Sequence, residues 1–368
     1  MVYSFTAKGH RNILANHKNT LEFTKDGEMT PDGDCIVGVG ADFSAKDLKK
    51  LALNHGRLRM RIIAGSVTEE IDFTANKAFS SESELVIRFS EFSSDRTLGF
   101  RATKSAKQLD RRLVKLLRDP DQKIKVEIFP VIKAVIFDFD DTIEDFKAAK
   151  VFTHRKIAEK LLGARGVYEP TTISLLQEID RKFSMRGVGS EPRMYDRHLW
   201  FEEYFKTLGL DAANQEIDEL VTLYWRYIIE SAKEMPHAAE VLKSLKENYK
   251  IAVMSDSDGS KALKMERLKT VGLHDLIDLL LTSDEVGVNK PDRRFYSIIF
   301  EKFGVKAEEC VMVGDKPQVD LKLAKELGMA TVWMRHGDWA GRESNSTFDY
   351  VDHSITDLRQ IIDIMKEV

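Results

Sequence analysis

The chain has 368 residues, of which 43% are hydrophobic and 32% charged, with a formal net charge of −4 at pH 7. This composition predicts a globular protein with two or three compact units. No apolar run reaches the roughly 18 residues of a membrane span, and the first residues lack the apolar centre of a secretory signal, so we expect a cytoplasmic protein without a membrane partner. Cys35 and Cys310 have no metal-ligand spacing, which indicates buried free thiols in a reducing compartment.

Charge divides the chain near residue 130. Residues 1–130 contain 22 Lys and Arg against 18 Asp and Glu, and the totals of 56 and 60 leave 34 against 42 for residues 131–368. The basic excess of the first part is too small to establish nucleic-acid binding, because solvated surfaces commonly carry such an imbalance.

Residues 1–130 show mostly the period-two pattern of half-buried strands. Apolar and polar residues alternate in "LEFTKD", "RLRMRIIAG", "EEIDFTAN", "ELVIRFSEF" and "RTLGFRATK", with turn residues between these segments. One helical pattern, "AKDLKKLALNH", follows Ser44, which can cap it, and another, "AKQLDRRLVKLLRD", follows Ser105. A final strand, "KIKVEIF", ends at Pro130. We therefore predict an antiparallel α+β domain over residues 1–130.

Continuous apolar runs replace this alternation after Pro130. The runs "KAVIFD", "KIAVMSD", "LIDLLLTSD", "ECVMVGD" and "MATVWM" alternate with helical stretches. They predict parallel strands covered on both faces, in a doubly wound, Rossmann-like α/β sheet. Four of the runs end in an aspartate: Asp138, Asp256, Asp284 and Asp315. These carboxylates should lie at the carboxyl edge of the sheet, where open α/β sheets bind ligands.

A stretch without strand signal, residues 145–233, interrupts the second part. Its four helical patterns predict a helical cap, which leaves residues 131–144 and 234–368 as the core. Such an insertion beside the acidic cluster suits a lid that excludes water and selects substrate. The cap segment "SMRGVGSEPRMYDRHLW" offers Arg186, Arg193 and Arg197 as contacts to an anionic substrate.

The segment "AVIFDFDDTIED" ends a buried strand on crowded carboxylates. Such groups repel one another and raise one another's pKa unless a cation neutralises them. Mg²⁺ prefers oxygen ligands, and Asp138 with Asp315 can supply two. A calcium helix-loop-helix site fits poorly, because counting Asp138 as position one puts Ile143 and Ala149 where Gly and Glu are needed. Taken alone, "DFDDT" fits a solvated turn equally well.

Three further motifs accompany "DFDDT", which begins at Asp138: Ser255 after "IAVM", Lys290 in "NKPD", and Asp315 with Asp320 in "VGDKPQVD". In order and spacing the four resemble the motifs of the haloacid dehalogenase superfamily of phosphohydrolases. The resemblance covers about residues 131–368, and the helical insertion stands where one branch of the superfamily carries its cap.

The resemblance implies a role for each motif residue. Asp138 would be the nucleophile that forms an aspartyl-phosphate, and Asp140 the general acid and then the general base. Ser255 and Lys290 would stabilise the oxygens of the transferred phosphoryl group. Asp140 also favours a phosphate ester as substrate, because the dehalogenases proper lack an acid at that position.

The resemblance also implies a Mg²⁺ site formed by Asp138, the backbone carbonyl of Asp140, and Asp315. Asp320 would orient Lys290 or a metal-bound water, or it is simply an acid favoured by a helix N-terminus. Asp256 stands where Asn is more frequent, and the effect of its charge is left open.

These observations predict a Mg²⁺-dependent phosphatase that acts on a small phosphorylated metabolite. One alternative is a phosphomutase that uses Asp138 but returns the phosphoryl group to its substrate. The other is a nucleic-acid-binding or protein-binding role of residues 1–130, which resemble an uncharacterised family of archaeal domains of unknown function. The basic helix of that part is interpreted as a solvated face rather than an RNA contact. The sequence leaves the phosphate ester and the oligomeric state open.

Overall fold

The computed structural model describes residues 2–257, 259–337 and 347–367. The chain divides into two compact units, Met1–Ile132 with Met365–Val368, and Lys133–Ile364. Among the helices in these described ranges, none is both long and apolar enough to cross a membrane.

The first unit is built on an eight-stranded sheet with the strand order β1-β8-β4-β5-β7-β6-β2-β3. Its strands are β1 (Tyr3–Lys8), β2 (Thr20–Thr24), β3 (Ile36–Gly38), β4 (Arg57–Ala64), β5 (Val67–Ala75), β6 (Glu84–Arg88), β7 (Thr97–Phe100) and β8 (Lys123–Pro130). Most pairs are antiparallel, but β2–β3 and β6–β7 run parallel, which the sequence analysis did not anticipate. Paired backbone hydrogen bonds between Lys8 and Val39 join the two edge strands. The sheet therefore closes on itself.

The predicted alternation produces the interior of this sheet. In β4 the side chains of Leu58, Met60 and Ile62 are buried, whereas Arg59 and Arg61 point to the opposite face. The two arginines form ion pairs with carboxylates of β5 on that face. The period of two thus separates an apolar core from a charged outer surface.

Two helices accompany the sheet, α1 (Ala45–Asn54) and α2 (Arg111–Leu117). Ser44 caps α1 as predicted, since its hydroxyl accepts a hydrogen bond from the Asp47 amide. The helix predicted after Ser105 begins only at Arg111. Its N-cap is Asp110 rather than Ser105, because the Asp110 carboxylate accepts a hydrogen bond from the Arg112 amide at 2.8 Å.

The second unit contains a six-stranded parallel sheet with the order β11-β10-β9-β12-β13-β14. Its strands are β9 (Ala134–Phe137), β10 (Lys250–Ser255), β11 (Leu279–Thr282), β12 (Cys310–Gly314), β13 (Ala330–Met334) and β14 (His353–Ile355). The core helices are α7 (Ala238–Lys246), α8 (Lys261–Thr270), α9 (Ser283–Val286), α10 (Arg293–Phe303), α11 (Lys322–Leu327) and α12 (Gln360–Glu367). The continuous apolar runs are buried strands, as the α/β prediction required, and of the described strands of this sheet only the short β14 was missed.

Between β9 and α7 the chain forms a helical insertion with an aromatic core. Its helices are α3 (Phe146–Arg165), α4 (Glu169–Gly187), α5 (Arg197–Leu208) and α6 (Asn214–Ser231). They bury Trp200, Phe201 and Tyr224 among other aromatic side chains. The two ends of the insertion lie side by side, because the Asp145 amide donates to the Lys233 carbonyl at 3.0 Å. A second bond, from the Met235 amide to the Ile143 carbonyl at 2.9 Å, continues this pairing.

Both cysteines are free thiols, as predicted, but they differ in burial. Cys310 is buried in β12, whereas Cys35 is only half-buried. Burial raises the pKa of each thiol to about 12. Both therefore stay protonated and weakly nucleophilic at neutral pH.

Candidate active site

The parallel sheet brings three motif residues to neighbouring strand ends. Asp138 follows β9, Ser255 ends β10, and Asp315 follows β12, and β9 lies between the other two strands. Asp284, the fourth predicted strand-end acid, lies in α9 instead and accepts a hydrogen bond from the Lys261 amide at 2.9 Å. The convergence is a direct result of parallel strand order.

Lys290 is bonded to the predicted nucleophile in the interior of the site. Asp138 is 1% exposed, and the Lys290 ammonium donates to its Oδ1. The same ammonium donates to Asp320 Oδ1 at 2.8 Å, and Asp320 Oδ2 accepts from the Lys316 amide at 3.1 Å. Asp320 is therefore in contact with Lys290, as one of the roles considered from the sequence requires, and the role itself stays a prediction. Burial raises the pKa of Asp138 to about 6, although the charge of Lys290 acts in the opposite direction.

The donor set beside Asp138 fits a hard divalent cation. Within the described part of the chain, Asp138 Oδ2 and both carboxylate oxygens of Asp315 are buried without a hydrogen-bond partner. Carboxylate oxygens of Asp138, Asp315 and Asp320 lie within 4.8 Å of one another. Burial raises the pKa of Asp315 well above its usual range. Buried carboxylates without partners are costly, and Mg²⁺ binds such oxygens.

Asp140 is held by two buried cations of α8. Its Oδ2 accepts from Lys264 Nζ at 2.9 Å and its Oδ1 from Arg267 Nη2 at 2.6 Å, and both cationic side chains are 0% exposed. Arg267 also pairs with the buried Glu144. Burial opposes ionisation of Asp140, but the charges of Arg267 and Lys264 outweigh it and hold the pKa of the carboxyl well below its usual range. In this arrangement Asp140 is ionised and has no proton to donate.

Sequence reasoning missed these two cations. Lys264, Arg267 and Leu268 form the buried side of α8, at the spacing that normally carries apolar residues. Charged residues at that spacing were the only available signal, because the carboxylates that they pair with lie more than a hundred residues earlier in the chain.

Ser255 and Asp256 have local partners in the structure. The Ser255 hydroxyl donates to the Asp256 carbonyl at 3.2 Å, and the side chain is fully buried. Asp256 Oδ1 accepts from the Lys290 amide at 2.8 Å, and burial raises the pKa of the Asp256 carboxyl. The Asp256 carboxyl, whose effect the sequence left open, thus holds the backbone of the loop that carries Lys290 by a hydrogen bond.

A cavity of about 90 Å³ lies between the helical insertion and the core. The core contributes Asp140, Asp141, Asp256, Ser257, Lys316 and Val319, and the insertion contributes residues that include Lys150, Asp180, Tyr195 and Arg197. Lys150 and Asp180 form an ion pair of 3.0 Å in its wall. Neither Lys316 nor this pair was recognised from the sequence. Lys316 lies among carboxylates that, against the effect of burial, raise the pKa of its ammonium well above the usual range.

Of the three cap arginines predicted to contact substrate, Arg197 lines this cavity and the other two do not. Arg197 is 4% exposed, its guanidinium carbon lies 3.4 Å from the ring centre of Trp200, and Nη1 donates to the Tyr195 carbonyl at 2.8 Å. Arg186 and Arg193 are exposed and absent from the cavity wall. Helical periodicity alone did not distinguish the buried arginine from the solvated pair.

The loop after α4 is bonded to the loop that carries Lys290. Asn289 is fully buried, and its Nδ2 donates to the Gly187 and Glu191 carbonyls, each at 3.0 Å. The Gly189 amide donates to the Lys290 carbonyl at 2.8 Å. These bonds fix the position of the wall formed by the insertion relative to the loop that carries Lys290.

Comparison with known proteins agrees with this architecture. A family model described as haloacid dehalogenase-like hydrolase matches residues 132–328, and one described as a domain of unknown function, DUF371, matches residues 5–131. The glyceraldehyde 3-phosphate phosphatase of Methanocaldococcus jannaschii is 28% identical over 240 residues, which cover 65% of this chain and 99% of that protein. An uncharacterized protein of the same organism is 35% identical over 130 residues, 34% of this chain and 96% of that protein.

Solved structures show the same fold. The HAD-hydrolase YfnB of Bacillus subtilis, crystallised with magnesium, superposes with a TM-score of 0.50 at 20% identity, over 64% of this chain and 99% of that one. Since the hydrolase model spans more than half of the sequence, we conclude that this protein belongs to the haloacid dehalogenase-like hydrolases and is a phosphohydrolase that also carries a DUF371 domain.

Proposed function

We propose that the protein is a Mg²⁺-dependent phosphatase that hydrolyses a small phosphate monoester through an aspartyl-phosphate on Asp138. The observation that supports this most strongly is the buried pair Asp138 and Asp315, which has three carboxylate oxygens without partners in the described structure. Lys290 lies beside this pair and is bonded to Asp138. Such a group of charges suits a divalent cation and a phosphate dianion bound together.

Asp138 acts as the nucleophile in this proposal. One of its carboxylate oxygens forms a bond to phosphorus while the bond from phosphorus to the ester oxygen breaks, and the leaving alcohol takes a proton. Water then attacks the phosphorus of the aspartyl-phosphate, which releases inorganic phosphate and restores the carboxylate. A pKa of about 6 leaves Asp138 ionised at neutral pH. Mg²⁺ held by Asp138 and Asp315 would neutralise charge on the phosphoryl oxygens.

Asp140 is the candidate for both proton transfers, and its contacts set a condition on that role. Both of its oxygens accept from cations, Lys264 and Arg267, and the charges of these cations oppose protonation of the carboxyl in this arrangement. We therefore propose that the Asp140 carboxyl exchanges at least one of these contacts for the ester oxygen when substrate binds. Its position in the cavity wall places it beside the space that the ester would occupy.

The substrate class follows from the cavity and from a relative. One relative is named for its action on glyceraldehyde 3-phosphate, a three-carbon phosphorylated hydroxyaldehyde. The cavity here is small, and the Lys150–Asp180 pair places a donor and an acceptor in its wall. We propose a small phosphorylated sugar or hydroxyaldehyde, whose hydroxyl and carbonyl groups can bond to both members of the pair. Residues 145–233 would serve as the cap over residues 131–144 and 234–368.

The test combines a substrate panel with two aspartate variants of the full-length chain. Phosphorylated sugars, hydroxyacids and nucleotides are assayed for phosphate release with Mg²⁺. Asp138→Asn should abolish turnover while leaving the fold intact, with an unchanged circular dichroism spectrum, because the amide nearly preserves shape but is not a nucleophile. Asp284→Asn is the matched control, since Asp284 lies just after another strand of the same sheet, β11, but bonds to the start of α8. Substantial steady-state activity of Asp138→Asn would contradict the covalent mechanism.

A further inference from the structure

Three of the cations around the carboxylates already have acceptors within the protein. The Lys290 ammonium has three N–H groups and three acceptors, Asp138, Asp320 and the Met254 carbonyl at 3.4 Å. Lys264 and Arg267 are committed to Asp140. The Lys290 ammonium therefore cannot bond to an incoming phosphate without giving up a contact that it has in the structure, and Lys264 and Arg267 are fully buried and do not line the cavity.

Lys316 differs from these three cations. Within the described ranges of the chain, its Nζ has no hydrogen-bond or ion-pair partner, whereas its backbone amide donates to Asp320 and its backbone carbonyl accepts from the Val319 and Asp320 amides. The side chain is half-buried and lines the cavity, whereas Asp138 and Asp315 do not. Its charge nevertheless acts on both of these carboxylates. Lys316 therefore lines the open cavity, and its charge also acts on the carboxylates of the buried charged centre.

We propose that Lys316 is a catalytic residue whose ammonium binds the transferred phosphoryl group. This inference rests on the proposed phosphatase function, and it identifies a second cation, beside Lys290, for the same site. A lysine at the end of a flexible stem is a compact point charge that can follow the phosphoryl oxygens as their geometry changes. An ammonium with its N–H groups available in a partly buried site is also worth more to an anion than one exposed to water.

The position of Lys316 favours the phosphoryl group over the distal end of the substrate. The phosphorus must lie next to Asp138 for attack, and the charge of Lys316 acts on Asp138, Asp315 and Asp320. The insertion contributes Lys150, Asp180 and Arg197 to the cavity wall. Those side chains are therefore the ones available to the hydroxyl and carbonyl groups of the leaving alcohol.

The experiment compares Lys316→Met, Lys316→Arg and Lys322→Met with the unchanged full-length protein. Lys322 is the matched control, an exposed lysine six residues further along the same segment. Binding of inorganic phosphate is measured by titration calorimetry at fixed Mg²⁺, and hydrolysis of the best ester is measured separately. Lys316→Met should weaken phosphate binding about 10- to 100-fold, the range of a lost charged hydrogen bond, and lower kcat/KM about 10²-fold. Lys316→Arg should recover part of both losses, and Lys322→Met should match the unchanged protein.

Phosphate binding separates this inference from the proposed function. If no ester is hydrolysed but phosphate binding still requires Lys316, the proposed function fails and the assignment of Lys316 stands. If Lys316→Met, with an unchanged unfolding profile, binds inorganic phosphate as tightly as the unchanged protein, the assignment is overturned. A variant that loses only its preference among leaving alcohols overturns it as well, because Lys316 would then contact the distal end. Should Lys316→Met fail to fold, Lys316→Arg decides, since an affinity for phosphate below that of Lys322→Met supports the assignment and an unchanged affinity opposes it.

Discussion

Replacement of Arg267 by methionine should destabilise the second unit by about 3–5 kcal/mol, the range measured when one partner of a buried ion pair is removed. Arg267 is fully buried and pairs with both Asp140 and Glu144. Its guanidinium carbon also lies 4.3 Å from the ring centre of Phe146. Methionine retains an unbranched apolar stem but leaves the buried Glu144 and the mostly buried Asp140 without this cation, so the upper half of the range is expected.

The loss should grow with pH. Burial raises the pKa of Glu144 to about 7, against the opposing charge of Arg267. Without that charge the pKa rises further, so the folded variant holds a proton that the unfolded chain, with an ordinary glutamate pKa of 4.5, has released. A group whose folded pKa is raised contributes stability at low pH and loses it as pH rises through the folded value. The deficit of Arg267→Met should therefore be larger at about pH 9 than at about pH 6.

Urea unfolding followed by tryptophan fluorescence measures this effect in the full-length protein. The chain has four tryptophans, Trp200, Trp225, Trp333 and Trp339, all of which follow residue 132, so the signal reports the second unit. A double variant, Arg267→Met with Glu144→Gln, should be more stable than Arg267→Met by about 1–3 kcal/mol, because one buried charge is removed. A free energy of unfolding for Arg267→Met within about 1 kcal/mol of the unchanged protein at about pH 8 would refute the reasoning, since a buried pair broken at one side costs more.

Three further predictions follow from the same geometry. Chelation should stop ester hydrolysis and Mg²⁺ should restore it, and undiminished activity after metal removal verified by elemental analysis would argue against the Asp138–Asp315 site. Asp140→Asn should lower hydrolysis of alkyl phosphates by about 10²- to 10⁴-fold. It should slow formation of the aspartyl-phosphate from an activated aryl phosphate much less. Equal losses of rate for alkyl and aryl phosphates in rapid-quench assays would exclude an acid role. Burial lowers the pKa of His154 to about 4 from 6.5, so the unfolded chain binds more protons between these values and about 3 kcal/mol of stability should disappear as pH falls through that window. His154→Leu should lack this pH dependence in urea unfolding, and an identical dependence in both proteins would contradict the shift.

The family and the fold class were predictable because their signals are local. Each motif aspartate directly follows an apolar run, and parallel order then brings the ends of β9 and β12 together without further information. The family comparison confirms this recognition. The roles of the motif residues in catalysis stay predictions.

Long-range partners explain what the sequence analysis missed. Lys264 and Arg267 have the appearance of solvated residues of a short helix, and only the fold shows that Asp140 and Glu144 lie opposite them. Lys316 was likewise passed over as the residue after Asp315. The parallel pairs β2–β3 and β6–β7 depend on strand order in a closed sheet, which alternation does not encode.

The side-by-side ends of the helical insertion have a consequence for engineering. Because Asp145 and Lys233 are hydrogen-bonded neighbours, the chain leaves the sheet and returns to it at one point. A short turn could join Asp145 to Lys233 as readily as the four helices do. Because the two ends are already held together, the length of the segment between them adds little entropic cost to folding of the core. Residues 146–232 can therefore be replaced as one segment, and we expect another helical segment grafted between these two residues to leave the register of the strands that carry Asp138 and Asp315 unchanged.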